Sequence, residues 1–163
     1  MPDGARAVVI TVSDRSHRGD RHDASGPLCA DLLRGLGLDV GPVVVVPDEA
    51  ADIESALRDA AASGADVVIT TGGTGLGPRD VTPEAPRRVL EREAPGLTEA
   101  IRAQNRDTVP ATILSRAVAG TVGRALVVNL PGSAGGVRDG VAVLAPVLGH
   151  AVEQLRGADH PTS

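Results

Sequence analysis

The chain has 163 residues, 42% hydrophobic and 23% charged, which suits one folded domain able to withdraw roughly 70% of its unfolded surface from water and excludes wholesale disorder. All 16 basic residues are arginine, set against 21 acidic ones, and the formal net charge of −5 argues against nucleic acid as a partner. With no lysine and no Phe, Tyr or Trp, a lysine Schiff base, a phosphate-binding lysine and an aromatic stacking platform are all excluded.

In chain order the first apolar run is Ala7 to Val12 (AVVITV), short, continuous and rich in β-branched residues, as expected of a strand buried on both faces. Val43 to Val46 and Val67 to Thr71 repeat that pattern, so a parallel sheet is predicted. Helices are predicted between them, from Leu28 to Leu36 with a stop at Gly37, and from Ile53 to Ala62 with a stop at Ser63-Gly64. The single cysteine, Cys29, falls in the first of these and reads as a small core residue. After the third strand comes TTGGTGLGPRDVTPEA (70–85). Its Thr82-Pro83-Glu84 is suited to start a helix predicted from Pro83 to Arg92, with Thr82 able to cap it. A further helix is predicted from Leu97 to Asn105. Two β-rich runs follow, Ser115 to Thr121 and Arg124 to Leu130, separated by Val122-Gly123 and spaced as a hairpin. Beyond Pro131-Gly132-Ser133, the three-to-four spacing of Val137, Val141, Leu144, Leu148, Val152 and Leu155 predicts an amphipathic helix broken or restarted at Pro146. The closing ADHPTS is expected to fray. No signal segment or membrane-length apolar run is seen, so a cytoplasmic chain without a membrane partner is expected.

The glycine loop joins a strand end to a helix start, where α/β sheets bind ligands and free N–H groups attract anions. It is not a P-loop, because Pro78-Arg79 stands where that motif needs lysine, and Pro78 breaks the dinucleotide fingerprint G-x-G-x-x-G. Glycines alone would also make a plain tight turn. Asp80 reads either as a ligand for Mg2+ bridging to phosphate oxygens, or as a helix-start residue or a salt-bridge partner of Arg79. Asp48, following the second strand, reads as a helix cap or as a second carboxylate on the same sheet edge. Ser13-Asp14-Arg15 reaches that edge from the first strand. The histidines at 17, 22, 150 and 160 lack closed-site spacing, and His17 and His22 read as part of a solvated, mobile loop, so no zinc is assigned.

The chain resembles the molybdopterin adenylyltransferases of molybdenum-cofactor biosynthesis, the MogA and MoaB family, whose domain also occurs fused in proteins such as gephyrin. The matching stretches are TVSDR (11–15), DASG (23–26), VPDE (46–49), TTGGTGLGPRDVTPEA (70–85), ILSRAVAG (113–120) and NLPGS (129–133). The resemblance implies a single molybdopterin-binding domain over 1–163, folded as a three-layer α/β/α sandwich with a mostly parallel sheet and a β-hairpin. It implies a homotrimer that uses Mg2+ and ATP to adenylylate molybdopterin, with an insertase as possible partner. Asp48 and Asp80 carry over as the catalytic, metal-holding pair. Gly72, Gly73, Thr74 and Gly75 carry over as the phosphate cradle, and Ser13, Asp14, Ser115, Pro131, Gly132 and Ser133 as ligand neighbours, while Arg79 is placed to neutralise phosphate charge. A binding protein with little catalysis, a trimeric scaffold and, from a different class, a nucleotide-dependent oxidoreductase disfavoured by the failed fingerprint are the competing readings. If Gly73 is a ligand cradle, Gly73→Val should block ligand approach and leave the domain folded.

Overall fold

Strands that are apolar on both faces need a helical layer on each side of their sheet. In the computed structural model, which describes residues 1–157, β1 (Arg6–Val12) sends Ala7 and Val9 to one face and Ile10 and Val12 to the other. The first face packs on α2 (Ser25–Gly35), α5 (Pro95–Gln104) and α6 (Ala134–Leu155) through Leu33, Ile101, Leu144 and Leu148. The second packs on α3 (Ala50–Ala62) and α4 (Glu84–Val89) through Ile53, Leu57, Ala85 and Val89. A four-residue helix, α1 (Asp14–His17), follows β1 directly, and a 3-10 helix covers Pro110–Leu114. The result is the three-layer α/β/α arrangement.

The sheet runs β2 (Asp39–Val40), β1, β4 (Val67–Thr71), β7 (Ala125–Leu130), β6 (Ala119–Val122), β5 (Arg92–Glu93), with β3 (Val44–Val46) also paired to β1. Every pairing among β1, β2, β3, β4 and β7 is parallel, so these strands end on one edge of the sheet. The hairpin joins β6 to β7, its last pair being Val122 with Ala125, so the turn is Gly123-Arg124, one residue later than the sequence spacing suggested. Gly123 turns with φ of 56°, which favours glycine.

Three further sequence expectations change. The valine run is not buried on both faces: Val44 is 42% exposed, because β2 and β3 together form a sheet edge interrupted at Gly41-Pro42-Val43. The helix after the glycine loop stops at Val89 rather than Arg92, because the Glu91 and Ala94 amides donate to the Thr121 and Ala119 carbonyls of β6. Sheet pairing wins there over helix continuation. The last helix is unbroken at Pro146, which is exposed, while Val141, Leu144, Leu148 and Val152 bury on either side of it. The missing N–H then falls on the solvent side, where water replaces the lost bond. The expectation for ADHPTS lies outside the described residues, as does His160. Cys29 is fully buried, and burial pushes its thiol up to about 12. Among the described residues no helix is long and apolar enough to cross a membrane.

Candidate active site

The parallel strands deliver Ser13-Asp14, Asp48, Gly72-Gly73 and Gly132-Ser133 to one edge, just past β1, β3, β4 and β7. Together with Asp80 they line a cavity of about 820 Å3. Thr74, Gly75, Ser115 and Pro131 line a second, adjoining cavity of about 320 Å3, with Ser133 shared between the two. Its other walls include Val109, Ala111 and Leu114, so it is the more apolar of the two. Arg79 lines neither.

Two aspartates are fastened to each other. The Asp14 amide donates to Asp48 Oδ2 at 2.8 Å, and the Asp48 amide donates to Asp14 Oδ1 at 3.0 Å. The bond from the Asp48 amide, aided by Arg79, holds the Asp14 carboxyl below its usual range. Burial pushes the Asp48 carboxyl up, reinforced by the charges of Asp14 and Asp80. Arg79 donates to both Asp14 oxygens at 3.1 Å and to Glu49 Oε1 at 2.8 Å. Its guanidinium therefore binds Asp14 at the cavity wall and Glu49 outside it, and not Asp80.

Asp80 closes its own turn, with Oδ2 accepting from the Gly77 amide at 2.8 Å and its amide donating to the Gly77 carbonyl at 3.0 Å. It does not cap α4. Pro83 occupies the cap position without a side-chain bond, and the fully buried Thr82 hydroxyl has no hydrogen-bond partner among the described residues. Asp48 Oδ1 and Asp80 Oδ1 make no hydrogen bond among the described residues. That donor set fits a Mg2+ ion, which takes one or two carboxylates and completes its shell from phosphate and water. It does not make a closed protein cage, since no cluster of three or more His, Cys, Asp or Glu ligands exists among the described residues.

The sequence reading missed Arg116. Its amide donates to the Thr74 carbonyl at 2.8 Å, its Nε donates to the Gly75 carbonyl at 2.7 Å, and its other nitrogens bind the Asp80 carbonyl and Glu84. One guanidinium thus pins both limbs of the glycine loop to the start of β6. The ILSRAVAG stretch was the available signal, but its backbone acceptors carry no side-chain signature. The DASG stretch supplies a cavity floor: Asp23 accepts from Thr11 Oγ1 at 2.7 Å and from the Ser25 and Gly26 amides at 3.1 Å. Asn129 ties β7 to β4 through Thr70 at 2.9 Å.

Gly73 needs to be glycine for the fold itself. It sits at φ of 64°, and a Cβ there would overlap Thr82 Oγ1 and approach Asp48 Oδ1 at 3.3 Å. We therefore expect Gly73→Val to lose more than about 1 kcal/mol of stability, contrary to the expectation of an intact domain. Chemical denaturation reads this, and an unchanged midpoint would refute it.

Strand ends, a glycine loop and paired aspartates on one cavity define an α/β domain built to bind an anionic, phosphate-bearing ligand. The family model described as "Probable molybdopterin binding domain" matches residues 8–150, and the chain belongs to that family. It is 40% identical over 153 residues to the molybdopterin adenylyltransferase of Pyrococcus furiosus, covering 91% of this chain and 89% of that one. It is 42% identical to the molybdenum cofactor biosynthesis bifunctional protein of Synechococcus elongatus, covering 98% of this chain but 50% of that protein, so it spans half of that relative's length. Among solved structures, one of MogA superposes with a TM-score of 0.89 at 47% identity, covering 92% of this chain and 99% of that one.

Proposed function

We propose that the chain acts in molybdenum-cofactor biosynthesis as a molybdopterin adenylyltransferase. The observation that carries this reading is the meeting of Asp48 and Asp80, each with a free carboxylate oxygen, on one cavity with the glycine loop. In the reaction a phosphate oxygen of molybdopterin attacks the α-phosphorus of ATP, the bond from that phosphorus to the bridging oxygen breaks, and pyrophosphate leaves with the electron pair. Such transfer asks a protein chiefly for positioning and charge neutralisation. Asp48 and Asp80 would hold Mg2+, which neutralises phosphate charge when bound. The Gly73 amide, which donates to no acceptor among the described residues, would meet a phosphate oxygen, while the Gly72 amide is held by the Leu130 carbonyl at 3.0 Å. Arg116 keeps the loop in place, and Arg79 fixes Asp14 and through it Asp48. The apolar walls at Val109, Leu114 and Pro131 offer a planar heterocycle a surface in a chain without aromatics.

Purified protein mixed with ATP, Mg2+ and molybdopterin should yield adenylylated molybdopterin and pyrophosphate in equal amounts. Molybdopterin binding without pyrophosphate release would sink the transferase reading and leave a binding protein. We further propose one domain over the whole chain, a cytoplasmic location, a molybdenum insertase as the protein that receives the product, and a homotrimer. The exposed Ile113 and Leu114, at 61% and 52%, give a trimer apolar surface to cover. Light scattering at micromolar concentration should return three chain masses, and a single chain mass would overturn the trimer.

A further inference from the structure

The large cavity has a second population of charges that the proposed chemistry does not use. Arg15, Arg21 and His22 line it, and none of their side chains has a hydrogen-bond or ion-pair partner among the described residues. Acids lie close by but are engaged elsewhere. Arg79 holds Asp14, the Thr11 hydroxyl and the Ser25 and Gly26 amides hold Asp23, and Arg18 pairs with Asp20 at 2.9 Å. Two guanidinium groups therefore stand without an ion-pair partner among the described residues, in a cavity that also holds Asp48 and Asp80 and in a chain whose net charge is −5.

Their placement is built into the backbone. The Arg15 carbonyl accepts from the Asp20 amide at 2.9 Å and from the Arg21 amide at 3.3 Å, folding the segment back so that Arg21 returns beside Arg15. Gly19 makes the reversal at φ of 80°. The segment is thus a closed loop, and its residues from His17 to His22 are exposed, as the sequence suggested. Arginine suits multiply charged phosphate, because its planar fork gives two parallel N–H bonds to neighbouring oxygens and stays charged.

Resting on the transferase reading, we infer that Arg15, Arg21 and His22 form a polyphosphate subsite, which holds the β- and γ-phosphates of the nucleotide and then the departing pyrophosphate. A phosphomonoester carries two negative charges, which the glycine-loop amides and a carboxylate-held cation can meet. A pyrophosphate group gains charge as the bond to the α-phosphorus breaks, and further fixed cations in the same cavity stabilise it there.

Calorimetric titration with inorganic pyrophosphate, in Mg2+, tests the subsite without requiring turnover. Wild-type protein should bind, R15Q and R21Q should each weaken binding at least fivefold, and the double variant should weaken it at least twentyfold. R58Q, an exposed arginine on α3, should stay within twofold, and all variants should keep the wild-type circular dichroism. Methyl phosphate, a monoester, should lose less than twofold in every variant. Absence of pyrophosphate binding in the wild type, unchanged affinity in the double variant, or an equal loss for methyl phosphate would each overturn the subsite. If pyrophosphate binds through these arginines while ATP and molybdopterin give no product, the transferase reading fails and the subsite stands. If product forms equally fast in the double variant, the subsite fails and the transferase reading stands.

Discussion

Asp80→Asn should keep the fold and most molybdopterin affinity while losing adenylyl transfer by about two to three orders of magnitude, the size of effect seen when one charge-stabilising group is removed. The amide oxygen of asparagine can still accept from Gly77, so the 77–80 turn survives. What disappears is the negative charge beside Asp48. Asp48→Asn should behave alike, since its amide oxygen can still accept from the Asp14 amide. A Mg2+ titration of product formation, with circular dichroism as the control for folding, measures both. If Asp80 only shapes the turn, the substitution should leave turnover within a few-fold and cost about 1 kcal/mol or less. That result would return the loop to the status of a plain strand-to-helix connection.

The largest effect on stability is expected at Asp66, far from the cavity. Its side chain is 6% exposed and accepts from Arg156 at 2.8 and 2.9 Å and from the Arg6 amide at 2.9 Å. Arg156 also donates to the Asp3 and Gly4 carbonyls, so this one carboxylate fastens the end of α6 to the start of β1. Asp66→Ala strands the Arg6 amide and takes away the guanidinium's charge partner, leaving Arg156 its bonds to the Asp3 and Gly4 carbonyls. Removing one member of a buried pair is strongly destabilising, and because Arg156 keeps some contact with water we expect about 3 kcal/mol, at the low end of that range. The melting temperature should fall by roughly 6–12 °C. The hydrogen bond from Arg156 holds the Asp66 carboxyl below its usual range. A carboxyl lowered in the folded state contributes stability above its unfolded value, near pH 4, and loses it as pH falls through the folded value. The gap between wild type and variant should therefore be full at pH 7 and close in acid. A gap that persists at pH 2 would show that the carboxylate charge is not its source.

The layered fold was legible because strand burial and helix spacing write themselves into local sequence, as at Val67 to Thr71 and in the Leu144, Leu148, Val152 ladder. What was not legible depends on neighbours distant in the chain. The four valines at 43–46 look like a core strand, yet nothing local says that the sheet ends there. Leu90 to Glu93 favours helix until β6, some thirty residues later, supplies carbonyls and amides to pair with. In the site, the convergence of Asp14, Asp48, Gly72 and Asp80 followed from the parallel-sheet rule, and the resemblance chose the aspartates. Arg79 and Arg116 were less readable. The first looked like a phosphate partner and is held by Asp14 and Glu49, while the second acts through carbonyl oxygens that any residue type could carry. Arg15, Arg21 and His22 are exposed, as a solvated stretch should be, but their place on the cavity was not legible because it depends on two backbone bonds to the Arg15 carbonyl.

The split edge made by β2 and β3 has a consequence for behaviour at high concentration. An uninterrupted row of free amides and carbonyls along Val40 to Val46 would template a strand from another molecule, and four consecutive valines are the composition that fibrils favour. Gly41 and Pro42 divide that row into pieces of two and three residues, and proline offers no amide at the junction. Replacing the pair with residues able to continue the strand would turn a harmless border into a nucleus for aggregation.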